Sequence, residues 1–362
     1  MRAVEPMEYS PGASPACAED LPEHVLDLVR HDHDRIEPRL GEYLDVLARQ
    51  GAREIWHKHG TFLEHLLGVW RILAAWQQPS DVCRLGLMHS IYSNSFVRMK
   101  VFDSDQVEGR DAVRRLIGEE AERLVHVFCE IRREQLLPLD DLAVPADGLR
   151  IGLYRSDETI QLSGRELGIF YVVTMADYAE QLFSWQDRLF SRAAGGAHPL
   201  WPGDNRPGLW MGMNSRLGRR AAACGVARLP PVFARCSVEL ASDAERAARD
   251  LYWEVVCAVS QDADPASAEQ QLHQTVTLNP FIAEPHVLLA QTYLNAQRWD
   301  DALAEARLAL DLLAQWGTSW DKRLSWEAWV AWSRVLLKAA LEQTWPETAF
   351  GIISLGEVRR GV

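Results

Sequence analysis

The chain of 362 residues has no CxxC pair, no apolar run of membrane-spanning length and no surplus of positive charge. Its six cysteines (Cys17, Cys83, Cys129, Cys224, Cys236, Cys257) are scattered, most of them inside apolar runs such as Val127-Phe128-Cys129. Unpaired spacing of this kind reads as reduced, buried thiols of a cytoplasmic protein, not as a disulfide framework. No window approaches the roughly 18 consecutive apolar residues of a membrane span. Residues 1–20 carry Pro, Ser, Ala and Glu without an apolar segment, so no signal peptide is expected. The formal net charge is −13, which repels nucleic-acid backbones and anionic membranes. Small molecules or protein partners remain.

What is present suits an ordinary globular protein: 48% apolar and 25% charged residues. The length is more than one core usually fills, so two domains are expected. Residues 1–20 read as a flexible tail. From 21 to 190 the apolar residues recur at spacings of three and four, the period of helices packed on one face. Residues 191–239 are rich in Gly, Pro and Arg and read as a linker or lid. Helical periodicity resumes over 240–350, so the fold class is all-α.

Within the first helical region Phe62, His65, Val69, Ile72, Leu73 and Trp76 share one face. Gln78-Pro79-Ser80-Asp81 breaks that helix and caps the next, which runs through Val82, Leu85 and Met88 to His89. Arg110 to Arg133 reads as two helices meeting at Gly118. A short extended piece is expected at Ile151–Tyr154, and Phe170, Val173, Asp177 and Gln181 line one stripe of a later helix. A histidine on a buried face can be a hydrogen-bonded core residue or a ligand. A carboxylate in Phe170-Tyr171-Val172-Val173-Thr174-Met175-Ala176-Asp177 costs several kcal/mol to bury unpaired, so a metal, an arginine or a tight hydrogen-bond set must compensate it. His65, His89 and Asp177 together suit one divalent cation, with a coordination position left open. Asp177→Asn is then expected to abolish metal binding without unfolding the domain.

The C-terminal region resembles a tetratricopeptide array. Pro280 closes one unit, and Leu289, Ala290, Tyr293, Ala302, Ala306 and Ala309 match the family's alternation of small and large positions in the next. Ala268 and Leu272 fit the preceding unit. Trp326-Glu327-Ala328-Trp329-Val330-Ala331-Trp332 fits a divergent third, after an insertion containing Trp316 and Trp320. Such arrays bind protein partners, and the tryptophans read as core or, if exposed, as a peptide surface.

Residues 60–185 resemble the HD-domain superfamily, and within it the bacterial alarmone (guanosine tetraphosphate) hydrolases. Glu64-His65-Leu66-Leu67-Gly68-Val69 is similar to their first-histidine helix, and Leu85-Gly86-Leu87-Met88-His89 to the helix ending in their His-Asp pair. Leu116 to Val125 is similar to the helix that follows, and Met175-Ala176-Asp177 to their last ligand motif. The run His89-Ser90-Ile91-Tyr92 also resembles an uncharacterised HD-like family of plants and bacteria. The resemblance implies His65, His89 and Asp177 as metal ligands, with His126 as a fourth on the pattern of HD oxygenases that carry extra histidines. Two departures stand out. Ser90 replaces the aspartate that ligates or bridges metals in the family, and Ser93 and Asn94 stand where the hydrolases carry a water-positioning Glu-Asp pair.

The resulting expectation is a mononuclear site for Mn, Fe or Zn. Ser93 and Asn94 are the nearest candidates for catalytic groups, and His59, Arg132 and Arg133 for contacts with an anionic substrate. Arg110, Arg114 and Arg115 read as a solvated face paired with glutamates, and His57-Lys58-His59 and His31-Asp32-His33-Asp34 as polar surface. Three functions follow: a hydrolase of a phosphorylated or nucleotide-like small molecule; a non-haem iron oxygenase on the same scaffold; or a non-catalytic relic whose repeats bind a protein.

Overall fold

A computed structural model describes residues 21–57, 60–96, 100–137, 148–182, 206–226, 228–230, 240–258, 264–348 and 351–352. The all-α expectation holds: among these residues thirteen α-helices are joined by two short antiparallel hairpins. No helix is long and apolar enough to cross a membrane.

The chain enters through α1 (Glu23–Val29) and α2 (Leu40–Arg49), then a small hairpin of β1 (Trp56–His57) and β2 (Gly60–Thr61). It continues into α3 (Phe62–Ala75), which starts on a capping box. The Thr61 hydroxyl accepts from Glu64 N, and the Glu64 carboxylate accepts from Thr61 N, satisfying two amides that the first helical turn leaves without partners. Phe62, Leu66, Val69, Trp70, Ile72 and Leu73 are buried along α3, as its period requires.

The helix α4 (Ser80–Met88) follows, with Ser80 already helical and no side-chain cap at its start; the polar break is there, but Ser80 and Asp81 do not cap it. A Cβ on Gly86 would fall 2.2 Å from Leu73 Cδ1, so α3 and α4 touch backbone to side chain at this level. His65 lies two turns back from Leu73 on the same face of α3, and His89 lies one turn beyond Gly86. The close approach therefore brings the two imidazoles together.

Two more helices, α5 (Val107–Ile117) and α6 (Glu119–Glu130), meet at Gly118, whose φ of 96° is a conformation that favours glycine. The hairpin of β3 (Leu149–Gly152) and β4 (Thr159–Leu162) pairs Ile151 with Ile160. It leads to α7 (Gly164–Gln181), which also opens on a capping box, Ser163 with Glu166. Helix α7 packs across α3 and α4 and carries Asp177.

Part of the span read as a linker is helical. In α8 (Met211–Ala223) Met211, Leu217 and Ala221 are buried, and the helix packs along α7. The Asn214 amide donates to Met175 O at 3.0 Å. Gly and Pro mask the period around this helix, but the apolar face is sufficient to dock it. The remainder of that span read as a lid, residues 191–205 and 231–239, lies outside the described residues.

Among the described residues five more helices follow: α9 (Ser242–Ala258), α10 (Pro265–Leu278), α11 (Glu284–Asn295), α12 (Trp299–Trp316) and α13 (Trp326–Glu342). Sequence neighbours pack on one another throughout this run. Leu272, Leu289, Ala290, Tyr293, Ala302, Ala306 and Ala309 are buried at their contacts, as are Trp316, Trp320, Trp326 and Trp329. The buried apolar side chains of the N-terminal and C-terminal helices form one contiguous cluster rather than two. The Trp76 indole crosses the seam to donate to Trp316 O at 3.1 Å, and the Trp210 and Trp316 rings meet edge to face.

Candidate metal centre

Three side chains distant in sequence converge in the N-terminal bundle. His65 Nε2 lies 3.3 Å from His89 Nε2 and 3.4 Å from Asp177 Oδ1, and His89 Nε2 lies 3.8 Å from the same carboxylate oxygen. All three residues are buried. Among the described residues this is the one group whose ligand atoms gather closely enough to hold a metal ion.

The outer partners of each ring decide what its inner nitrogen can do. His89 Nδ1 lies 2.8 Å from Gly86 O, which can only accept, so Nδ1 carries the hydrogen. His65 Nδ1 lies 2.5 Å from Glu180 Oε2, and the carboxylate accepts there in the same way. His89 therefore turns its Nε2 lone pair toward His65 Nε2 and Asp177 Oδ1. Burial pushes His89 down to about 3, against the pull of the Asp177 carboxylate, so it stays uncharged at neutral pH. Two imidazole nitrogens and a carboxylate oxygen at this separation can share a proton or enclose a cation. Donor atoms about 2.0–2.1 Å from a tetrahedral ion lie about 3.3–3.4 Å from one another, close to the spacing observed. The residues present fit a single divalent ion.

The carboxylate is held on both oxygens. Arg133 Nη2 donates to Asp177 Oδ2 at 2.7 Å, and Gln181 Nε2 donates to Oδ1 at 2.5 Å. The Arg133 guanidinium lies 4.3 Å from the Phe128 ring centroid and 5.6 Å from that of Phe96, which is itself exposed. Gln181 Oε1 in turn meets His57 Nε2 at 3.1 Å, and the His57 ring lies 4.4 Å from that of His65.

The other residues singled out from sequence take different places. His126 does not join the three ligand atoms; its ring packs edge-on to Tyr92, 6.0 Å between centroids. Ser93 is buried with φ 70°, and Asn94 is fully buried, its amide donating to Ser90 Oγ at 2.9 Å and its carbonyl accepting from Phe96 N. Ser90 thus serves the loop that follows His89. Arg133 is directed at Asp177 from within the bundle. Arg132 is half-exposed and donates to Leu153 O at 3.0 Å on the β3–β4 hairpin. His59 lies outside the described residues.

Arg110 and Arg114 do pair with a glutamate, but with the fully buried Glu122, which also accepts from Tyr92. Cys129 donates its thiol to His89 O at 3.3 Å, and burial raises it to about 12, which keeps it an inert thiol. Cys83, Cys224 and Cys257 likewise form no disulfide among the described residues, while Cys17 and Cys236 lie outside them.

Sequence reading missed Glu180, Gln181 and His57. Glu180 was legible: it follows Asp177 by three residues and shares its face of an otherwise apolar helix. His57 was assigned to polar surface, and nothing in its neighbours signals that the β1–β2 hairpin folds it back over α3.

A family model described as Domain of unknown function (DUF6817) matches residues 46–133, a stretch that carries His65 and His89 but not Asp177. Over that stretch the chain is similar to this domain. No curated protein and no solved structure matches the chain.

Proposed function

We propose that the N-terminal bundle holds one divalent ion on His65, His89 and Asp177, and that the site hydrolyses a phosphorylated or nucleotide-like small molecule. The observation that carries this reading is the convergence of two buried Nε2 atoms, 3.3 Å apart, on a shared carboxylate oxygen. The resemblance to HD-domain hydrolases supplies the substrate class. With Ser90 in place of a bridging aspartate, one ion rather than two is the expectation. A bound manganese, zinc or iron would supply Lewis-acid chemistry, polarising a phosphoryl oxygen and acidifying a water.

The chain's own residues set up the rest. Gly86 O and Glu180 fix the ring orientations, and such outer partners also make an imidazole a better ligand. Arg133 draws Asp177 Oδ2 away from the centre and leaves Oδ1 toward the histidines. His57, half-buried beside His65 and bonded to Gln181, is an imidazole outside the ligand set and is placed to accept or pass a proton.

A second reading is favoured by the donor set itself. Two histidines and one carboxylate form the ligand set of non-haem iron oxygenases. Metal analysis of the purified chain separates the two. One equivalent of manganese or zinc, with metal-dependent turnover in a panel of nucleotides and phosphoesters, supports hydrolysis. One equivalent of iron with substrate-dependent oxygen consumption supports oxidation. His65→Ala should remove the bound metal in either case, and a wild-type chain that binds no divalent ion sinks both readings.

A further inference from the structure

The run from Ser90 to Phe96 leaves the second histidine of the centre, and the metal reading gives it no role. Its polar side chains bond within the run and to the end of α6. Asn94, fully buried, donates to Ser90 Oγ at 2.9 Å and accepts from Phe96 N at 2.9 Å. Ser95 Oγ accepts from Arg133 N at 3.1 Å, and Ser93 turns the chain at φ 70°. A buried polar network of this kind holds a loop in one conformation. The side chain at the end of this loop is Phe96, whose ring is 53% exposed.

A single exposed phenylalanine is ordinary on a protein surface. This one is set apart by its place. Its ring centroid lies 5.6 Å from the Arg133 guanidinium carbon, and Arg133 Nη2 donates to Asp177 Oδ2 at 2.7 Å. One guanidinium therefore separates an open aromatic ring from the carboxylate of the centre. The buried Phe128 ring covers the same guanidinium more closely, at 4.3 Å, so Phe96 is not its main cover. Arg133 Nε is buried and finds no acceptor among the described residues, so an acceptor there must come from solvent or a ligand. A cation site and an arginine suit any phosphoester. The open ring beside them adds a surface that only a ligand with a planar, aromatic part can use.

We infer that Phe96 is a specificity residue of this site: its ring stacks on the base of a nucleotide whose phosphate lies at the metal centre, and Ser90, Asn94 and Ser95 hold the loop that presents it. The inference rests on the phosphoryl reading proposed above and narrows its substrate class to nucleotides.

Calorimetric titration of the full-length, manganese-loaded chain tests it. The probes are the methylene-bridged analogues of ADP and GDP, with methylenediphosphonate as their base-free counterpart. Wild type should bind at least one nucleotide analogue more tightly than the diphosphonate. Phe96→Ala should weaken that analogue about tenfold, the loss expected of one base–aromatic stack, and leave the diphosphonate unchanged. Phe96→Leu keeps an apolar cover on Arg133 without an aromatic face and should lose as much, while Phe96→Trp should restore binding. The inference is overturned if Phe96→Ala weakens all probes alike, or if Phe96→Leu binds the analogue as wild type does, since either marks a structural role. A wild type that binds the diphosphonate as tightly as both nucleotide analogues overturns the inference and keeps the phosphoryl reading. A wild type that holds manganese but binds no probe overturns both.

Discussion

At the scale of single residues, Asp177 is doubly committed, to the histidines on one side and to Arg133 on the other. If Asp177 is a metal ligand alone, Asp177→Asn removes the metal and leaves the fold intact, the expectation from sequence. The structure places Arg133 beside Asp177 with both side chains buried, at 4% and 7% exposure. Removing the charge of one leaves the other enclosed and unpaired, which costs about 3–5 kcal/mol in buried pairs of this kind. Asp177→Asn should therefore lower the urea midpoint of the metal-free chain, and adding Arg133→Met should recover a large part of the loss. Equal midpoints for wild type and Asp177→Asn would show that the pair carries no such energy. The ligand types were legible because a carboxylate in so apolar a helix demands compensation. Which compensation it receives was not legible, since Arg133 lies on a different element and its direction depends on how α6 ends.

At the scale of elements, the centre depends on where helices can approach closely. Both Gly68 and Gly86 lie at such places, one under Glu180 and one under Leu73. Gly68→Ala would push on Glu180 Cγ, Oε1 and Cδ, in a side chain whose other oxygen is held by His65. Overpacking of this sort costs about 1–3 kcal/mol, and displacement of Glu180 should also weaken metal affinity by about tenfold or more. Gly41→Ala in α2 is the control, because a Cβ there meets nothing within 4 Å and alanine is the better helix former. Titration of both variants with zinc checks the expectation, and equal affinities would refute it. Helix positions were well marked in the sequence by apolar period and by Pro and Gly breaks. The two capping boxes, Thr61 with Glu64 and Ser163 with Glu166, add start signals for the helices that carry His65 and Asp177. The α8 helix was hidden because proline and glycine around it outweighed a short apolar face.

At the scale of the whole molecule, folding leaves several imidazoles away from water. Burial lowers His24, His33, His89 and His126, and His89 reaches about 3. In the unfolded chain each takes up a proton near the ordinary value of about 6.5, while the folded chain resists protonation until lower pH. The unfolded state therefore binds more protons between about 6.5 and 3, and stability falls as pH falls through that window. Above about 6.5 these groups are neutral in both states and contribute no slope. The denaturant midpoint of the metal-free chain should be level from pH 8 to pH 7 and lower at pH 5; a midpoint that rises on acidification would contradict this assignment.

The sequence alone determined the helical class, the breaks between most helices, the burial of the C-terminal alanines Ala290, Ala302, Ala306 and Ala309, and the three residues that gather at the candidate metal centre. These follow from local period and from the cost of burying a polar group, both of which act along the chain. Only the tertiary structure decided that Arg133 serves Asp177, that Glu180 and Gly86 O aim the imidazoles, and that His126 stands apart. Each of those depends on a close approach between distant helices, set by side-chain volume and the fit of facing surfaces, and neither leaves a period in the sequence.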